Sequence, residues 1–160
     1  MKADIHIGRA KFEELPRLSQ LFDGYRRFYR MPSDISGARD FLAARLRHKD
    51  SIILVARVGD ESLVGFVQLY PAFSSVRMGA IWILNDLYVQ RDWRGRGVGQ
   101  GLMEEARIRA VQNGCIALEL ATEKTNTHAK RLYEKLGYSL DETYDHYHLR
   151  SLDQRATTFS

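Results

Sequence analysis

The chain has 160 residues, with 24 Lys and Arg against 20 Asp and Glu, for a formal net charge of +4. That length fits one ordinary domain able to bury its own core, and 44% hydrophobic and 28% charged residues with only 3 Pro and 12 Gly exclude disordered and collagen-like classes. The small basic excess does not argue for nucleic acid, and no stretch approaches the roughly 18 consecutive apolar residues of a membrane span.

The polar start around Lys2, Asp4 and His6 lacks a signal-peptide apolar region, so a cytoplasmic chain is expected. A lone cysteine, Cys115, forms no intramolecular disulfide, which agrees with a reducing compartment.

In chain order, Ile5 and Ile7 alternate with polar neighbours as a short strand does, and Phe12, Leu15, Leu18, Leu21 and Phe22 then recur at helical spacing. Pro16 falls near the start of that helix, where a missing N–H does least harm, and Pro32 stops helical structure after the aromatic and basic run Tyr25–Arg30. A second helix is expected from about Ser36 to Arg47 on the stripe Phe41, Leu42, Arg45 and Leu46. Ile52–Ala56 and Leu63–Tyr70 flank Gly59-Asp60 as a β-hairpin, and a further strand, about Ala80 to Val89, follows Pro71 and the Ser74-Ser75 turn. Residues 50 to 90 thus read as an antiparallel meander.

The period then changes. Val98, Leu102, Ala106 and Ala110 recur every four residues behind a glycine cluster, Asn113-Gly114 gives a stop, and the apolar strand Ile116–Ala121 follows. Strand, helix and strand make a βαβ unit with two parallel strands. Ala129, Leu132, Tyr133 and Leu136 mark a last helix ended by Gly137, and residues 138–149 are expected to supply two closing strands. A single domain over residues 1–150 and a frayed polar tail over 151–160 are the economical organisation.

The segment Asp92-Trp93-Arg94-Gly95-Arg96-Gly97-Val98-Gly99 lies where a strand hands over to a helix. Closely spaced glycines let backbone N–H groups converge on an oxygen cluster, the helix N-terminus adds partial positive charge, and Arg94 and Arg96 add formal charge. Pyrophosphate binding is the chemistry implied. The spacing is neither a GxGxxG dinucleotide fingerprint nor a P-loop, since no Lys-Ser/Thr pair follows, although Gly101 continues the cluster.

Arg94-x-x-Gly97-x-Gly99 resembles the acetyl-CoA loop of the GNAT superfamily of N-acetyltransferases, and Asn126-x-x-Ala129-x-x-Leu132-Tyr133-Glu134-Lys135-Leu136-Gly137-Tyr138 resembles the block that follows it there. The resemblance covers about residues 50 to 140. It implies an α/β fold with a mixed, mostly antiparallel central sheet, a βαβ acetyl-CoA-binding unit and helices on both faces. It also implies that the strand ending at Val89 separates from the strand at Ile116–Ala121, with the pantetheine arm bonded to backbone around Leu87 and Val89 and the pyrophosphate held by Arg94, Gly95, Arg96, Gly97, Val98 and Gly99. Acetyl transfer would run directly from acetyl-CoA to a primary amine, without an acetylated enzyme.

By the same resemblance Tyr133 donates a proton to the departing thiolate, although spacing alone also suits a core aromatic. Asn126 would contact the cosubstrate, and it is equally a good helix N-cap. Asn85 stands where many relatives carry a Glu base, so it is assigned a water-positioning role, with Asp86, Glu119 or ordered water open as substitutes. On a regularly alternating strand Asp86 would face away from Asn85. Cys115 before an apolar strand reads as a buried structural thiol, and His146 and His148 lack a third ligand for a metal.

The acceptor stays open among small molecules, polyamines and protein amino groups; the order Leu84–Val89 is similar to diamine and polyamine acetyltransferases. A non-catalytic acyl-CoA sensor is the alternative, motivated by Asn85, and Arg26, Arg27 and Arg30 with the net charge of +4 raise a weaker reading, modification or binding of an aminoacylated RNA. The resemblance further implies a homodimer, with the last strand near His146–Arg150 at its interface.

Overall fold

The computed structural model describes residues 4–60 and 62–150. The chain divides into two compact units, one running to Lys124 and the other starting at Thr125. The tail expected from Ser151 lies outside the described residues.

Among its described residues the first unit holds five strands, β1 (Ile5–Arg9), β2 (Ile52–Val58), β3 (Ser62–Ser74), β4 (Gly79–Val89) and β5 (Ala117–Leu120), and three α-helices, α1 (Leu15–Phe28), α2 (Ile35–His48) and α3 (Val98–Gln112). The sheet order is β1-β2-β3-β4-β5, with every pair antiparallel except the parallel β4 and β5. The meander and the βαβ unit are both formed.

Helix α1 follows a 3-10 turn, carries Pro at its first turn, and buries Leu15, Leu18, Leu21 and Phe22 at the spacing of one face. That face and Leu42 of α2 meet Ile53, Val55 and Phe66 in one core cluster. Full burial of side chains such as Leu18, Leu42 and Phe66 contributes about 1.5–3 kcal/mol each. Helix α3 buries Val98, Leu102, Met103, Ala106 and Ala110 and packs on β1, β2 and β3.

Two differences from the sequence expectation concern strand ends. Strand β3 runs through Pro71 to Ser74, because β2 pairs with it only as far as Leu69, and beyond that point Pro71 sits on a locally open edge where no N–H is required. In the second unit α4 spans Thr127–Lys135, yet residues 138–150 form no strand. The N–H groups of Thr143 and Tyr144 instead bond the Asp141 carboxylate, at 2.8 and 3.2 Å. The strand expected near His146–Arg150, which the dimer reading placed at its interface, is therefore not present. No helix among the described residues is long and apolar enough to cross a membrane.

The link between α1 and α2 is fixed by one buried carboxylate. Asp23 accepts from the Ser33 hydroxyl (2.8 Å) and the Asp34 N–H (2.7 Å), with Arg27 3.5 Å away, while the Asp34 side chain caps α2 by accepting from Gly37 N–H. Burial raises the pKa of Asp23, but these hydrogen bonds and the Arg27 and Arg26 charges outweigh it and leave it lowered. The resulting stability is complete above the unfolded value of 3.8 and is lost as pH falls through the lower folded pKa. Asp23→Ala is expected to lower stability by about 1–3 kcal/mol in urea titrations near neutral pH, since it orphans inward-facing donors. Its stability should also fall less steeply with acid than that of the wild type.

Candidate functional site

After β4 the chain makes a 3-10 turn, Arg91–Trp93, and then crosses two left-handed positions, Gly95 (φ 71) and Gly97 (φ 82), into α3. Only glycine takes that conformation without strain. The first intrahelical bond runs from Gly101 N–H to the Gly97 carbonyl (2.9 Å), so helix geometry leaves the N–H groups of Val98 and Gly99 without an intrahelical acceptor. A Cβ built at Gly95 or Gly97 meets no atom within 4 Å, so the loop fronts open space. Backbone donors, the helix dipole and that space fit a diphosphate.

The arginines are held more tightly than their sequence suggests. Arg94 donates from Nε to the Val89 carbonyl at 2.9 Å, and its guanidinium lies over the rings of Phe28 (5.3 Å) and Tyr88 (5.6 Å). Arg96 lies 4.9 Å from the Trp93 ring. Gly101 belongs to packing, because a Cβ there would come within 2.8 Å of Ile7 Cδ1.

Beside this loop the sheet opens. Strand β5 pairs with β4 from Ile81↔Ala117 to Leu84↔Leu120 and then ends, while β4 continues to Val89. Gln90 N–H donates to the Val64 carbonyl (2.9 Å), so by ladder alternation Val89 and Leu87 turn their N–H and C=O groups away from β3, toward the edge that β5 has left. Both side chains are half-buried.

At the point of divergence the β3–β4 register jumps from Gln68↔Asp86 to Leu69↔Leu84, so Asn85 is an extra, bulged residue of β4. Regular alternation fails there. Asn85 is exposed and donates from Nδ2 to Oδ1 of Asp86 at 3.1 Å, while Asp86, 5% exposed, also accepts from Gln68 Nε2 at 2.9 Å. The expectation that Asp86 faces away from Asn85 is thereby corrected: a bulge is invisible in the spacing of a single sequence, although the buried polar partner Gln68 in an apolar run was a signal of it.

Tyr25 of α1, Tyr29 at the C-cap of that helix and Tyr70 of β3 all feel the charge of the same carboxylate. Burial first, then the negative Asp86, pushes the Tyr70 phenol up to about 12. Tyr29 is raised by burial and by the charges of Glu123 and Asp86, and Tyr25, which hydrogen-bonds Asp86, is raised further by burial and that carboxylate. All three phenols stay protonated at neutral pH.

In the second unit Asn126 is the N-cap of α4, its side chain accepting from Ala129 N–H at 3.3 Å. Tyr133 is half-buried, with its ring 6.2 Å from that of Tyr138 and its carbonyl accepting from Tyr138 N–H. Of the other candidates, Glu119 is exposed on the paired part of β5, and burial pushes the Cys115 thiol up, the reverse of what a nucleophile needs. An open cavity of about 640 Å³ is lined by His6, Lys11, Arg17 and Asp60 and by the Glu14–Arg57 ion pair (2.6 Å), and includes no residue of β4 or the glycine loop.

A glycine loop opening into a helix, beside a strand whose parallel neighbour has stopped pairing, fits a protein that holds a diphosphate-bearing cosubstrate. The family model described as the acetyltransferase (GNAT) family matches residues 18–138, and the chain belongs to that family. It is similar to the uncharacterized N-acetyltransferase YhfO of Bacillus subtilis (strain 168), with 46% identity over 143 residues, covering 89% of this chain and 95% of that protein. A thialysine N-epsilon-acetyltransferase of Bos taurus is 33% identical over 75 residues, covering 47% of this chain and 44% of its own. The crystal structure of a probable acetyltransferase superposes with a TM-score of 0.86 at 37% identity, covering 90% of this chain and 96% of that one. The chain is thus an N-acetyltransferase with a mixed sheet of five strands, and membership of the family implies use of acetyl-CoA.

Gly97→Val tests the loop. The left-handed backbone penalty of about 1–2 kcal/mol should lower the melting temperature modestly. Calorimetric acetyl-CoA affinity should fall as well, because the new side chain projects into the space before the α3 N-terminus.

Proposed function

We propose that the chain transfers an acetyl group from acetyl-CoA directly to a primary amine of a small molecule, a polyamine or a protein. The observation that carries this reading is the opening of β4 beyond Leu84↔Leu120, directly before a glycine loop at a helix N-terminus. Acetyl-CoA supplies an activated thioester. Backbone N–H groups from Gly95 to Gly99 hold its diphosphate, with Arg94 and Arg96 adding charge, and the open edge at Leu87 and Val89 takes its amide-bearing arm. Asn126 is assigned to the same cosubstrate. Support for these assignments is the family's motif together with the loop and edge geometry described above.

Tyr133 is assigned as general acid, its hydroxyl giving a proton to the sulfur that leaves. What supports it is its place in the Asn126–Tyr138 motif. The likeness to a thialysine acetyltransferase keeps short diamine-like acceptors in the panel. Release of free thiol from acetyl-CoA, dependent on an added amine, tests the activity. Tight acetyl-CoA binding with no amine-dependent thiol across a broad panel would favour a sensor instead.

Tyr133→Phe keeps ring size, so calorimetric acetyl-CoA affinity should be unchanged. Turnover should fall by about 10²–10⁴, the usual weight of a general acid. A kcat equal to wild type in single-turnover experiments, where chemistry is observed directly, would reduce Tyr133 to a packing residue.

A further inference from the structure

The bulge in β4 creates an array of fixed polarity. Ser51 Oγ donates to Gln68 Oε1 (3.1 Å), Gln68 Nε2 donates to Asp86 Oδ2 (2.9 Å), Asn85 Nδ2 donates to Asp86 Oδ1 (3.1 Å), and the Tyr25 hydroxyl hydrogen-bonds the same carboxylate. A carboxylate only accepts, so the Asn85 amide must turn its NH2 toward Asp86 and hold its carbonyl oxygen on the other side. Asn85 is exposed, so that oxygen is available to a donor from outside.

The electrostatics select which donor. Asp86 is buried, yet its hydrogen bonds come from neutral groups, and none of the ion pairs among the described residues includes it. A buried negative charge in that setting favours a cation over a neutral group nearby. The phenols that feel this charge, those of Tyr25, Tyr29 and Tyr70, are neutral and do not offset it. The full charges besides Asp86 that act on Tyr29 and Tyr70 belong to ion pairs, Glu123 with Arg30 at 3.0 Å and Asp50 with Arg45 at 2.8 Å.

We propose that the acceptor enters as an ammonium ion and is oriented by the Asn85 carbonyl oxygen, with Asp86 as the positioning residue that locks the Asn85 amide and supplies the attracting charge. This rests on the acetyl-transfer reading and assigns its acceptor side. Asn85 has no basic group, so the ammonium gives one proton to water. The amine lone pair then forms the C–N bond as the C–S bond breaks. The electron pair leaves with sulfur, which takes up one proton, and the nitrogen sheds its second proton to water.

The test follows the side-chain NH2 of Asn85 by ¹H–¹⁵N NMR in the full chain, with and without coenzyme A, during titration with n-butylammonium or the neutral n-butanol. Saturable shifts are expected with the ammonium and none with the alcohol. Asp86→Asn and Asn85→Leu, the second at an exposed position that spares the core, should each weaken ammonium binding about tenfold or more, the worth of one charge-assisted hydrogen bond, followed through backbone amides near residue 85. Calorimetric acetyl-CoA affinity should stay as in wild type for both. With an acceptor that turns over, both variants should raise KM far more than they lower kcat. Equal response to alcohol and ammonium, or unchanged ammonium affinity in Asn85→Leu, overturns the inference while acetyl-CoA binding persists. Absence of acetyl-CoA binding in the wild type overturns the acetyl-transfer reading and takes this inference with it.

Discussion

The site depends on an interruption of the sheet. One residue too many in β4, Asn85, breaks the ladder opposite Gln68 and Leu69, and at the same level β5 stops pairing with β4. A bulge bends its strand and increases local twist, so a strand carrying one parts more readily from a parallel neighbour. Everything assigned here to chemistry within the first unit lies on that opening or beside it: the Leu87 and Val89 backbone edge, the Asn85–Asp86 pair and the glycine loop after Gln90.

The opening is held rigid by ordinary packing. Beneath it Phe66, Val67 and Leu69 of β3 are completely buried, and Gln68 among them has both ends of its amide engaged, by Ser51 and Asp86. A polar group at 0% exposure is tolerated only when satisfied in this way. The same bonds that make Gln68 affordable fix Asp86, so core integrity and placement of the acidic group are one requirement.

What was legible in the sequence is what short-range pattern determines. The Val98, Leu102, Ala106, Ala110 period and the Gly59-Asp60 turn gave α3 and the β2–β3 hairpin, because local spacing specifies which face is buried. Gly97 was legible for a related reason, since a strand-to-helix turn needing positive φ restricts the residue there. Pro71 misled because the rule against proline in strands holds only where both neighbours are present, and neighbour extent is a tertiary fact. Residues 138–150 show the converse: alternation marks two faces, but a strand exists only where another backbone completes its ladder. The Asn85–Asp86 contact was hidden because a bulge is a mismatch between two strands, which neither strand carries alone.

Arg94 shows how far a motif residue's role depends on its surroundings. Read from sequence, it is a charge offered to phosphate. In the structure its Nε is bound to the Val89 carbonyl and its planar head lies against Phe28 of α1 and Tyr88 of β4. Tyr88 packs edge-on against Tyr25, and Tyr25 hydrogen-bonds Asp86. Contacts therefore run without a gap from the glycine loop to the buried carboxylate, through rings that stack only in a few orientations. An arginine so braced still contributes positive potential to the loop, but it does so from a fixed position, so little conformational entropy remains to be lost when an anion arrives. Lysine at this position would keep the charge and lose the planar stacking, which is why the geometry favours arginine here.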